Sequence, residues 1–199
     1  HGKLDVLVNN AGVGVVADIE TTTLEEWRFV HSVNVEGTFF GCKHGIGLMK
    51  KTGGSIINLS SIAGIVGDPK LVAYCSSKGA VRLLTKSVAM HCARKQYGIR
   101  VNSIAPGPFP TEGAWSRLMP TKELQEMYIK RVALGRVGKH EELANLAVFL
   151  MSDMAGYITG ECVTIDGGER LAGGEFNLFV SGFDRKPLKQ MFHAMKPKK

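Results

Sequence analysis

The chain has 199 residues, 44% of them hydrophobic, and a formal net charge of +7. That is enough apolar material for one domain with a real core, and no apolar run is long enough to span a bilayer as a helix or to act as a secretory signal. The charge does not make a nucleic-acid surface: Arg185, Lys186, Lys189, Lys196, Lys198 and Lys199 supply six positive charges in a stretch without acids, and the body without them stands at +1, so the excess is a basic tail.

Cys42, Cys75, Cys92 and Cys162 show no metal-like spacing, and the six histidines do not cluster with them. They read as small buried thiols of a reducing compartment, which fits a cytoplasmic location with no metal site. The opening His1-Gly2-Lys3-Leu4-Asp5 runs straight into Val6-Leu7-Val8, as though the sequence began in mid-fold. Leu4–Val8 does not alternate, as expected of a strand covered on both faces. Gly12-Val13-Gly14-Val15-Val16-Ala17 has the form of a G-x-G-x-x-A dinucleotide fingerprint. That motif needs a helix opening at its glycines, and here the helix opens later, at a capping box of Thr23 and Glu26.

This helix is expected from about Leu24 to Lys50. Gly37, Gly41 and Gly45 recur along it, and a stripe of glycines costing about 1 kcal/mol each predicts close approach of another helix, within the chain or across a subunit boundary. Ser55–Leu59 reads as a second strand, with Ser60 and Ser61 at its carboxyl end, where open α/β sheets bind ligands. A second long helix is expected from about Leu71 to Tyr97, stopped by Gly98. It carries Tyr74 and Lys78 on one face, with Cβ atoms about 6 Å apart. A free tyrosine titrates near 10, and a nearby cation lowers that value; reaching neutrality takes roughly 4 kcal/mol and would give a general acid/base. Ile99–Ile104 is a third strand. It runs into Pro106-Gly107-Pro108-Phe109-Pro110-Thr111, a rigid turn with few N–H donors. Residues 112–138 form a candidate substrate lid with a helix from Thr121 to Arg131. A helix over His140–Ser152 and a strand over Cys162–Ile165, closed by Asp166-Gly167-Gly168, complete the alternation of a parallel α/β sheet.

Taken together, Asn9-Asn10-Ala11-Gly12, Asn34, Ser61, Tyr74 and Lys78 in order, Pro106-Gly107 with Thr111, and Asp166-Gly167-Gly168 resemble the short-chain dehydrogenase/reductase family over residues 3–168. The thirteen-residue Ser-to-Tyr and twenty-seven-residue Asn-to-Ser spacings fit that pattern. The resemblance implies the C-terminal, catalytic half of a doubly wound parallel-sheet Rossmann-like fold: a truncated catalytic domain at 1–168, with the lid at 112–138, and a C-terminal extension with the basic tail at 169–199. It implies NAD or NADP as cofactor and a small alcohol, ketone or acyl substrate. Tyr74 would exchange a proton with the substrate oxygen. Lys78 would lower the Tyr74 pKa and bond the nicotinamide ribose. Ser61 would orient the carbonyl, and Asn34 would hold a proton-relaying water. Asn9, Ala11, Gly12, Pro106, Gly107, Phe109 and Thr111 would border the cofactor, the Phe109 amide and the Thr111 hydroxyl holding its carboxamide. It also implies a homodimer or homotetramer paired through the helices at 24–50 and 71–97.

The family ordinarily opens with a glycine-rich T-G-x-x-x-G-x-G phosphate loop, which has no counterpart in this sequence. The first strand is therefore expected at an exposed edge, and dinucleotide binding by these residues alone is expected to be weak. Two substrate classes are implied. GCKHGIGLMKKTGGSIINLSS and HCARKQYGIRVNSIAPG resemble bacterial hydroxysteroid and secondary-alcohol dehydrogenases. GPFPTEGAWSRLMP, EELANLAVFL and GGEFN resemble 2,4-dienoyl-CoA reductases. Tyr74 favours carbonyl and alcohol chemistry, with the acyl-CoA reductase as one alternative and an inactive scaffold as another.

Overall fold

A computed structural model describes residues 2–111 and 119–172, together with Lys186 and Gln190. The first seven residues of the expected lid and most of the basic tail lie outside the described residues. The chain divides into two compact units, His1–Pro110 with Gly138–Asp166, and Thr111–Val137 with Gly167–Lys199.

The first unit is an α/β layer built on four parallel strands: β1 (Val6–Asn9), β2 (Gly54–Leu59), β3 (Ile99–Pro106) and β4 (Cys162–Ile165), lying side by side in sequence order. Parallel neighbours need long crossovers, and the helices supply them. Between β1 and β2 run α1 (Leu24–His31) and α2 (Gly37–Met49), joined by a single π-helical turn at Ser32–Glu36. The expected long helix is thus one rod with an extra residue inserted in its middle. Helix α3 (Val72–Arg94) links β2 to β3, and α5 (His140–Met151) precedes β4. The Thr23–Glu26 capping box is present, with the Glu26 N–H donating to Thr23 Oγ1 at 3.1 Å and the Thr23 N–H donating to Glu26 Oε2 at 2.9 Å.

Strand period two sends successive residues to opposite faces. Ile56 and Val101 pack with Cys42, Met49, Ala89 and Cys92 under α2 and α3, whereas Ile57 and Ile104 pack with Leu150 and Ala155 under α5. Both faces of β2 and β3 are therefore covered, which explains their unalternating apolar runs. β1 differs. Among the described residues it pairs only with β2, and Val6 and Val8 are 36% and 43% exposed.

The glycine stripe serves β1. A Cβ at Gly45 would stand 2.6 Å from Leu7 Cδ2, and one at Gly41 would overlap Asn9 Oδ1. A strand of the same chain, not a second helix, occupies the groove these glycines leave. Arg100 on β3 holds the end of α5, its guanidinium donating to the carbonyls of Leu150 (2.7 Å), Met151 (3.3 Å) and Ser152 (3.0 Å). These are the orphan acceptors of a helix C-terminus, met by a cation as the helix dipole favours.

In the second unit, α4 (Lys122–Ile129) opens at an N-cap on Thr121. Gly167, at φ +61°, packs against Val132, and its carbonyl accepts the Leu134 N–H at 3.0 Å. Among the described residues no helix is long and apolar enough to cross a membrane.

Candidate active site

Parallel strands deliver their carboxyl ends to one edge, and the sequence-predicted tetrad gathers at that edge of the first unit. Ser60 and Ser61 follow β2 directly. Ser61 is extended (φ −168°), and its Oγ accepts the Ala63 N–H at 3.1 Å, starting the tight turn Ile62–Gly64. That turn lies hard on α3. A Cβ at Gly64 would meet the Lys78 carbonyl carbon at 2.6 Å and the Gly79 nitrogen at 2.8 Å, while the Ser60 hydroxyl donates to the Lys78 carbonyl at 2.9 Å. Ser61 is thereby held beside the helix that carries Tyr74, close enough to bear on its phenol.

Burial raises the Tyr74 pKa above its ordinary value near 10; the nearby Ser61 hydroxyl opposes this, and the neighbouring Cys75 adds to the rise. Lys78 is 4% exposed, and burial lowers its pKa to about 8. Its ammonium lies 5.6 Å from the centre of the Tyr74 ring and donates to the Leu59 carbonyl at 2.7 Å. In this arrangement desolvation penalises both charged forms, and Lys78 gives one of its three donors to a backbone oxygen.

Asn34 sits in the π-helical turn and is 1% exposed. Its Oδ1 accepts the Val13 N–H at 2.8 Å, and its Nδ2 donates to the Val13 carbonyl and to Ser77 Oγ, both at 2.9 Å. The side chain is therefore a clamp on the loop after β1 and leaves no donor for a water. Its backbone carbonyl accepts the Thr38 hydroxyl at 2.7 Å. Ser77 was not legible as a site residue. It is fully buried and passes its own proton to the Tyr74 carbonyl at 2.8 Å, tying Asn34 to the helix of the Tyr–Lys pair.

The expected cofactor contacts divide. Ala11 and Gly12 are exposed on the loop after β1. A Cβ at Gly12 would stand 3.1 Å from Lys78 Nζ and 3.4 Å from Asn34 Oδ1, so a side chain there would crowd the ammonium. Asn9 departs from expectation: its Nδ2 donates to Asn58 Oδ1 at 2.8 Å and to Cys42 Sγ at 3.6 Å, inside the sheet. Asn58 in turn donates to Thr85 Oγ1 at 3.0 Å, so β1, β2 and α3 share one polar seam. Pro106 ends β3, and the Gly107 N–H donates to the Ile165 carbonyl at 2.9 Å. Gly138 leaves room for the Phe109 ring, and among the described residues nothing takes the Phe109 N–H. Thr111 belongs to the second unit.

The family model described as Enoyl-(Acyl carrier protein) reductase matches residues 1–169. The chain belongs to the short-chain dehydrogenase/reductase family. Among short-chain dehydrogenase/reductase relatives, it is 44% identical to an NADP-dependent (R)-specific alcohol dehydrogenase of Lentilactobacillus kefiri, over 84% of this chain and 66% of that protein. It is 35% identical to a meso-2,3-butanediol dehydrogenase of Serratia marcescens, over 87% of this chain and 67% of that one. The crystal structure of a gluconate 5-dehydrogenase from Burkholderia cenocepacia, in complex with NADP and tartrate, superposes with a TM-score of 0.79 at 34% identity, over 84% of this chain and 65% of that one. A putative short-chain alcohol dehydrogenase from Sinorhizobium meliloti gives a TM-score of 0.79 at 37% identity, over 84% and 66%. The chain thus spans about two thirds of the length of these relatives, 66% in the first case.

Proposed function

We propose that the protein is an oxidoreductase that transfers a hydride between NADP and a carbonyl or secondary alcohol, with Tyr74 as the proton donor and acceptor. One observation carries this reading: the half-buried Tyr74 stands beside Ser61, which favours its phenolate, with the Lys78 ammonium on the same helix 5.6 Å from the centre of its ring. Two hydroxyls converging at a sheet's carboxyl edge are suited to one ligand oxygen, which Ser61 polarises and Tyr74 protonates. A phenol kept protonated by burial suits the reductive direction, in which the nascent alkoxide needs a proton. In the oxidative direction the Lys78 charge would favour the phenolate.

The residues fit the nicotinamide half of such a cofactor. A side chain at Gly12 would crowd Lys78 Nζ, and the Phe109 N–H is available to a carboxamide oxygen. When bound, the cofactor supplies or accepts the hydride. The choice of NADP rests on the alcohol dehydrogenase relative and on the NADP-bound structure. Residues 112–138 are read as a lid over the substrate.

The test uses the full-length protein with NADPH and NADH against a panel of ketones and a dienoyl-CoA. NADPH oxidation with ketones is expected, and Tyr74→Phe should lower kcat by about 10²-fold or more. A Tyr74→Phe variant that turns over at the wild-type rate would remove Tyr74 from the chemistry.

A further inference from the structure

The loop after β1 is fastened to the loop that leads from β2 into α3. The Ala17 N–H donates to the Lys70 carbonyl at 2.9 Å, and Ala17 and Leu71 form an isolated parallel bridge. Beside that bridge the Lys70 ammonium meets Asp18 Oδ2 at 2.6 Å, across 52 residues of sequence. Both partners are set for this contact. Asp18 Oδ1 accepts the Thr21 N–H at 2.9 Å and the Thr21 hydroxyl at 2.6 Å, and the Lys70 N–H donates to Asp68 Oδ1 at 2.8 Å. Lys70 and Thr21 hold the Asp18 carboxyl well below the usual carboxylate range, so the pair is charged at neutral pH. The place of the fastening gives it a use. Leu71 is the residue before α3, no side chain caps the helix there, and Tyr74 is the third helical residue. A helix frays at its first turn, where N–H groups lack intrahelical partners. Here the first intrahelical bond, from the Cys75 N–H to the Leu71 carbonyl at 2.8 Å, ends on the residue that the bridge holds.

We propose that Asp18 and Lys70 are positioning residues: their ion pair latches the loop after β1 onto the start of α3 and keeps the turn that carries Tyr74 docked at the site. This rests on the oxidoreductase reading above. The pair acts through the backbone of Lys70 and Leu71 and needs no contact with the substrate. An exposed ion pair adds little to overall stability, but a pair placed at a fraying turn biases the local opening of that turn.

The test compares full-length wild type with Lys70→Met, Asp18→Asn, the double variant and Lys70→Arg. Two quantities are measured: hydride transfer from saturating NADPH to acetophenone in a single turnover, and amide hydrogen exchange along the chain. Each single loss should slow hydride transfer about two- to fivefold, with KM for NADPH unchanged. The double variant should be no slower than either single, because both remove one interaction. Lys70→Arg should keep the wild-type rate. Exchange should quicken in residues 71–80 and not in α5. Wild-type rates in both single variants, losses that multiply in the double variant, or unchanged exchange at 71–80 would overturn the latch and leave the oxidoreductase reading intact. Absence of turnover with every carbonyl in the wild-type protein would overturn that reading and this inference with it.

Discussion

Lys78 carries a pH signature that can be read from stability alone. Its pKa is lowered by burial from 10.5 to about 8. Below about 8 both folded and unfolded chains hold the proton, and the full cost of burying the charge is present. Between about 8 and 10.5 the folded state releases the proton first, so the Lys78 contribution to stability rises by about 3 kcal/mol across that window. Lys78→Met should lack this rise. Urea unfolding of both proteins at pH 8, 9 and 10 checks it, and a constant difference between them would refute the shift. Ser77 offers a second test. Ser77→Ala takes a partner from Asn34 Nδ2 in a fully buried place and should cost about 1–3 kcal/mol. The Tyr–Lys pair was legible in the sequence because its chemistry depends on spacing along one helix. The direction in which Lys78 points was not, since the Leu59 carbonyl reaches it from another element. Asn9 shows the same limit: its sequence neighbours suggested a ligand contact, and its true partner, Asn58, lies on the adjacent strand.

Among the elements, the strands and helices were legible almost to their ends, because apolar runs, a capping box and glycine stops are local signals. What was not legible depends on contacts between elements. The glycines of α2 announced a close neighbour without saying that it was β1. The π-helical turn is stabilised by the Asn34 clamp on Val13, distant in sequence. Arg100 reads as a polar interruption in a strand, yet it closes α5 with three charge-assisted hydrogen bonds. Arg100→Met keeps the length of the side chain and removes those donors. It should destabilise the first unit by about 1.5–3 kcal/mol, with a fall in Tm of several degrees by calorimetry. A shift of less than one degree would mean that water caps the helix equally well.

At the scale of the whole molecule, α2 and α3 leave large apolar side chains in solvent: Phe40 is 49% exposed, Leu48 68%, Leu83 66% and Met90 54%. Singly exposed apolar residues are ordinary, and these four stand two on α2 and two on α3. We propose that a second copy of the chain covers them. The full-length protein should sediment as a dimer or larger, and the pair Phe40→Glu and Leu83→Glu should shift it to monomer. A monomeric wild type at micromolar concentration would dismiss the interface.

The sheet is laid down in the order in which it is synthesised: β2 begins at residue 54, β3 at 99 and β4 at 162, and each pairs with the strand before it. Among the four described strands, none has to wait for a later one to be inserted between it and the strand before. By the time a growing chain has emerged through residue 106, Asn34, Ser61, Tyr74 and Lys78 already have β1 to β3 and α1 to α3 to stand on. The helix that covers Ile57 and Ile104 does not start until residue 140. During that interval the nascent chain shows one finished face and one bare apolar face. That bare face is where a chaperone would bind and where aggregation would begin.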